Sequence, residues 1–105
     1  MGKNREEYGK STCDLDELQG FVDKYKYDIT KTCVNEFTQL DYSYEKVLTI
    51  IGNLKKSEIY KTMESKIPDL MQDVYHTRDE RNDLYIKLQR SVCGTRCVIV
   101  QFKLK

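Results

Sequence analysis

The sequence predicts an all-α fold: an elongated helical hairpin or small three- to four-helix bundle with a short extended C-terminal tail. Three observations predict it. Apolar residues recur at helical spacing through two long segments, 14–52 and 57–91. Charged residues make up 33% of the 105-residue chain against 39% apolar ones, which suits the thin core of a helical hairpin, coiled coil or small bundle. The clearest helix stop, Gly52-Asn53, falls between the two segments.

Residues 1–12, "MGKNREEYGKST", have no periodicity and read as a flexible lead-in to a single helical domain. Helix onset follows at Asp14, a good cap, with Glu17 placed to complete a capping box and Cys13 and Leu18 at the staple positions. A stripe then runs through Leu15, Leu18, Val22, Tyr25, Ile29, Cys33, Phe37 and Leu40 at gaps of three and four. Gly20 softens it by up to ~1 kcal/mol relative to Ala. Asp41 and Ser43 offer a break, after which the stripe resumes at Tyr44, Val47, Leu48, Ile51 and Leu54. In the second arm it passes through Ile59, Met63, Ile67, Leu70, Val74, Leu84, Tyr85 and Leu88, interrupted by the polar, solvent-facing "YHTRDERND". Pro68 either kinks this arm or starts a fresh helix. Phe37, Leu40, Val47, Ile51, Ile67, Leu70 and Val74 are the expected helix-packing residues.

The tail, residues 93–105, breaks the pattern. After Gly94, the run "CVIVQF" is β-branched and aromatic and reads as a strand, yet no second strand is evident for it to pair with. Such a segment packs extended over the helices, adds to a strand of a partner or a second copy, or stays disordered and prone to aggregate.

Charge is laid out unevenly. Residues 13–83 hold ten basic and fifteen acidic side chains, whereas everything from Leu84 onward is basic: Lys87, Arg90, Arg96, Lys103 and Lys105. An acidic body with a basic end suits an acidic protein partner or head-to-tail association. The sequence pI of 7.6 falls short of the value above about 9 typical of nucleic-acid-binding domains, so nucleic acid is not the expected partner.

Catalytic motifs are lacking. His76 lies in the charged "VYHTRDER" and reads as a solvated surface histidine. The five glycines never cluster into a phosphate loop. Cys13, Cys33, Cys93 and Cys97 lack the close C-x-x-C pairs of a zinc site. Cys93 and Cys97 in "CGTRC" are a candidate reversible disulfide, and Arg96 beside them would favour a thiolate, although a helix C-terminus would oppose it. Short tyrosine motifs at "YEKV", "YKTM" and "YIKL" are set aside as chance matches, the tyrosines reading as interface residues. No apolar span or secretory leader is evident, and Glu6 spoils the myristoylation pattern begun by Gly2, so an intracellular, cytoplasmic address is expected.

The reading is therefore a non-catalytic, intracellular protein–protein interaction module, possessing no cofactor, metal or small-molecule substrate. It assembles with a protein partner or a second copy, through its helical stripe and through Arg90, Arg96, Val98, Ile99, Val100 and Phe102 of the basic apolar end. Two alternatives stand beside it: a small regulator that inhibits a macromolecule with its acidic body, and a thiol-based redox protein.

Overall fold

In the computed structural model, which describes residues 5–105, the chain is a mixed α/β protein and not an all-α bundle. Strand β1 (Glu6–Tyr8) is followed by α1 (Leu15–Asp23), β2 (Tyr27–Ile29), α2 (Lys31–Gln39) and α3 (Tyr44–Gly52). A 3-10 turn at Lys56–Glu58 then leads into four consecutive strands: β3 (Ile59–Glu64), β4 (Met71–Arg78), β5 (Asp83–Arg90) and β6 (Cys97–Leu104). They form one six-stranded sheet in the order β1-β3-β4-β5-β6-β2, antiparallel throughout except for the parallel β6–β2 pair.

The expected first arm, 14–52, is three nine-residue helices instead of one or two long ones. Its stops are backbone devices. After α1, Tyr25 takes a left-handed conformation (φ 61°), with Lys26 N–H donating to Phe21 O and Tyr25 N–H to Val22 O. That is a Schellman closure, in which the carbonyls left over at the helix end are satisfied by the reversing chain. Asp41 (φ 64°) repeats it after α2, with Tyr42 N–H donating to Phe37 O and Asp41 N–H to Thr38 O. The starts are side-chain caps: Asp14, Thr30 and Ser43 accept from Asp16, Cys33 and Lys46 N–H respectively, of which Asp14 and Ser43 are expected from the sequence and Thr30 is not. Glu17 leaves the capping box unmade and pairs with Arg90.

The second arm, 57–91, is not helical beyond its opening 3-10 turn. Its apolar residues also satisfy the strand period: Leu84, Ile86 and Leu88 alternate inward along β5. The polar "YHTRDERND" is the end of one strand, a hairpin turn and the start of the next, the turn held by Asp79, whose Oδ1 accepts from Arg81 and Asn82 N–H. Pro68 neither kinks nor starts a helix. It sits in the β3–β4 turn, where Asp69 has φ 65°. The tail does become a strand, and its partners lie within the chain: β6 runs between β5 and β2. Of the lead-in, residues 6–8 form β1, while Gly2 lies outside the described residues.

The core lies between the helices and one face of the sheet. Leu18, Phe37, Val47 and Ile51 meet Tyr75, Leu84, Ile86, Leu88, Ile99 and Phe102 there. A coiled-coil seam is thereby excluded, because the stripes of the helices are spent on the sheet. Of the expected packing residues, Phe37, Val47 and Ile51 are in this core and Leu40 is at its margin. Val74 is 0% exposed but belongs to the opposite sheet face, Ile67 is exposed in the β3–β4 turn and Leu70 is half-buried beside it. Among the described residues no helix is long and apolar enough to cross a membrane.

A buried carboxylate ties the N-terminal segment to the sheet. Asp73 on β4 is 0% exposed and accepts from Thr12 N–H (2.9 Å), Cys13 N–H (2.8 Å) and Thr62 Oγ1 (2.7 Å). Removing it strands buried donors, which cost about 1–3 kcal/mol each. Asp73→Ala is expected to lower the unfolding free energy by about 3 kcal/mol in urea titration, while Asp83→Ala, at an exposed position, changes it by less than about 0.5 kcal/mol. Tyr25, 83% exposed in a left-handed conformation, gives the opposite sign. Tyr25→Gly is expected to raise stability by about 1 kcal/mol in the same titration, since glycine enters that region without steric cost.

Candidate functional site

Because the helices cover one face of the sheet, the side chains that alternate with the core residues project from the other. Register places them in rows. One runs Tyr8, Lys61, Val74, Lys87, Gln101 across five strands. A second runs His76, Tyr85, Lys103, and a third runs Glu6, Met63, Gln72, Gln89, Val98. The register shifts between Ile59 and Lys61, a bulge that re-aims one extra residue. As a result Tyr60 joins Lys61 on the open side.

The first two rows build an aromatic and cationic cluster over Val74. The His76 imidazole stacks on the Tyr60 ring at 4.0 Å between centroids and lies 5.8 Å from that of Tyr85. Tyr8 meets Tyr60 edge-on at 5.3 Å. Lys103 Nζ sits 4.7 Å from the Tyr85 centroid and Lys87 Nζ 6.0 Å from it, while Lys61 Nζ approaches the Tyr60 and Tyr8 rings at 5.6 and 5.7 Å.

The electrostatics follow from this crowding of cations on a partly covered surface. Burial, helped by the charges of Lys105 and Lys61, holds His76 below its ordinary value, so the imidazole is neutral near pH 7. Burial and then the Lys103 and Lys61 charges likewise lower Lys87. Lys61 goes the other way. Burial opposes its charge, but its ammonium is held by Glu6 at 3.2 Å, and the net shift is upward. Among the described residues Lys87 and Lys103 form no ion pair.

Beyond Lys87 the face continues into an open groove of about 540 Å³, walled by the β3–β4 turn on one side and by Thr30 and Thr32 at the start of α2 on the other. Gln72, Gln89 and Gln101 line it, with Met63 and Val100 as apolar walls.

The residues chosen from sequence for partner contact are scattered. Arg90 pairs with Glu17, and Arg96 is bidentate to Asp28 (2.8 and 3.2 Å) while also donating to Tyr27 O. Ile99 and Phe102 are in the core, Val98 is on the open face and Val100 is the extra residue of a second bulge that lines the groove. Cys93 is exposed and Cys97 is buried, both as free thiols. Burial pushes Cys97 up to about 12, and Cys33 as well, which is the reverse of a reactive thiolate. Among the described residues no group of three His, Cys, Asp or Glu side chains is placed to hold a metal ion.

Sequence reasoning read His76 as a solvated surface residue and the tyrosines as interface residues, counted Lys87 and Lys103 in the basic end, and chose none of these or Lys61 as a site residue. The available signal was the strict alternation in "DLYIKLQR", which puts Tyr85 and Lys87 together on the face away from Leu84, Ile86 and Leu88.

No curated protein matches the chain. The sequence pattern of the toxin family described as "Motility quorum-sensing regulator, toxin of MqsA" matches residues 10–104, which takes in all three helices and every strand except β1, and the chain belongs to that family.

Proposed function

We propose that this toxin acts by binding single-stranded RNA across the open face of its sheet and cleaving it there. The observation that carries the reading is the neutral His76 imidazole stacked on Tyr60, beside Tyr85 and within a ring formed by Lys61, Lys87 and Lys103. Single strands are held by aromatic platforms for the bases and cations for the backbone, and this face supplies both. It stands in place of the non-catalytic module expected from the sequence. The protein partner expected there becomes, on the family description, an antitoxin of the MqsA kind. An RNA target also fits the intracellular address expected from sequence.

The cluster supports cleavage by internal attack. His76 takes the proton from a ribose 2′-OH, and the 2′ oxygen bonds to the adjacent phosphorus. The P–O5′ bond then breaks, leaving a 2′,3′-cyclic phosphate on one product. The other leaves as a 5′-OH whose proton comes from a neighbouring ammonium. Lys87 suits that step because burial has lowered its hold on the proton. Lys61 and Lys103 offset the extra negative charge on phosphorus in the transition state.

The test is cleavage of a labelled RNA with the product ends analysed chemically. His76→Gln is expected to slow the reaction by about 10²–10⁴-fold, and Lys61→Ala or Lys103→Ala by about 10²-fold. Tyr60→Ala should weaken RNA binding by about tenfold. Intact cleavage in the His76 variant removes the general base from the scheme, and 3′-phosphate-free ends from the wild-type protein contradict internal attack altogether.

The pH profile makes an independent check. Since burial and the Lys105 and Lys61 charges hold His76 below 6.5, the acid limb of kcat/KM is expected below pH 6.5. Cleavage is lost only as pH falls through that lowered value. Lys105→Gln removes one of the charges opposing protonation, so its acid limb moves upward toward 6.5.

A further inference from the structure

We infer that the groove beside Lys87 is a base-reading subsite, in which the Gln89 carboxamide recognises the edge of a nucleobase flanking the cleaved bond. This rests on the RNA reading above and deepens it from a general affinity for single strands to sequence selectivity.

Gln89 is the starting point. It is 7% exposed, an unusual depth for a neutral polar side chain, yet it lines an open groove on the sheet face opposite Leu88. Its Oε1 accepts from Gln72 Nε2 at 2.9 Å, which fixes the orientation of the carboxamide. Its own Nε2 has no protein acceptor among the described residues and is not sealed from solvent. An amide donor that faces a groove and has no protein acceptor is available to an acceptor that a ligand brings. The free Oε1 of Gln72 lies in the same pair. Together the two side chains leave the Gln89 Nε2 donors and the Gln72 Oε1 acceptor without a protein partner among the described residues, the group types with which carboxamides read base edges.

The surroundings fit a base better than a charged or bulky group. Met63 and Val100 give apolar walls suited to a flat ring, and Gln101 adds a third carboxamide, whose Nε2 donates to Glu36. Glu64, the only acid among the lining residues, is engaged by Arg5 N–H at 2.8 Å. Lys87 lines the groove and also reaches the Tyr85 ring, so a strand whose phosphate lies at Lys87 would extend its next base into the groove. The volume, about 540 Å³, lies within the range of small-ligand sites.

The experiment uses the full chain in two arms. In the first, cleavage sites are mapped on an RNA library randomised on both sides of the cut, for the wild type, Gln89→Leu and Gln89→Glu. In the second, binding is measured for uncleavable 2′-O-methyl tetranucleotides carrying each of the four bases at each position. The wild type is expected to favour one base at one flanking position by about tenfold or more. Gln89→Leu should flatten the preference at that position alone, bringing cleavage of the favoured sequence down to the level of the others. Gln89→Glu, which can only accept, should shift it toward a base presenting an amino group there. Cleavage without base preference, or an unchanged preference in Gln89→Leu, overturns the inference and leaves the RNA reading standing. Base-selective binding without cleavage does the reverse for the catalytic part. Failure of both arms removes both.

Discussion

A sheet packed by helices on one side only is the constraint from which the other features descend. Each strand presents alternate residues to opposite faces, so a single register decides both the core and the open surface. Placing Leu84, Ile86 and Leu88 inward sends Tyr85, Lys87 and Gln89 outward, and the neighbouring strands complete the rows. The interior position of β6, between β5 and the edge strand β2, enforces this arrangement. It contributes Cys97, Ile99 and Phe102 to the core and pairs with both β5 and the short β2. The functional face is thus the reverse side of the hydrophobic core, and neither can slip by one residue without destroying the other.

Two bulges modify the strict alternation, and both fall where the open face needs them. The one at Tyr60 lets consecutive residues, an aromatic ring and a lysine, address the same side. The one at Val100 turns an apolar side chain into the wall of the groove while returning Phe102 to the core. Bulges are common beside functional sites because they change direction without dissolving the sheet.

Much of the helical half was legible in the sequence, and most of the sheet was not. Caps at Asp14 and Ser43 and the stop at Gly52 were readable because those residues act locally. The break at Asp41 and Ser43 was offered by the sequence too, but the one at Tyr25 was not, since a left-handed tyrosine carries no signature and its neighbours kept the helical spacing of apolar residues. The same coincidence disguised β3 to β5, where Ile59, Met63, Ile67, Leu70 and Val74 mimic a helical stripe while lying in two strands and a turn. The C-terminal strand signal was sound. What sequence lacked was its company, because strand pairing is a property of distant segments. Charge told a similar story: the basic end stood out, but Arg90 and Arg96 are engaged by Glu17 and Asp28, and the available cations are the lysines.

That division between arginines and lysines has a physical basis. Arginine's planar fork suits fixed bidentate contacts, and Arg96 uses it to tie β2 to the end of β6 through Asp28 and the Tyr27 carbonyl. Lysine is a mobile point charge whose pKa yields to burial. Lys87 and Lys103 flank Tyr85 with no carboxylate among the described residues paired to either, and burial, then the Lys103 and Lys61 charges, shift Lys87 downward. Like charges held together on a folded surface oppose folding, so such a cluster persists because Tyr75, Ile86, Phe102 and the rest of the core behind it fix the strands regardless. Glu6 offsets part of this repulsion at Lys61, and a bound anion would offset more. On the proposed RNA reading, phosphates would offset the lysine charge while bases stack on Tyr60 and Tyr85.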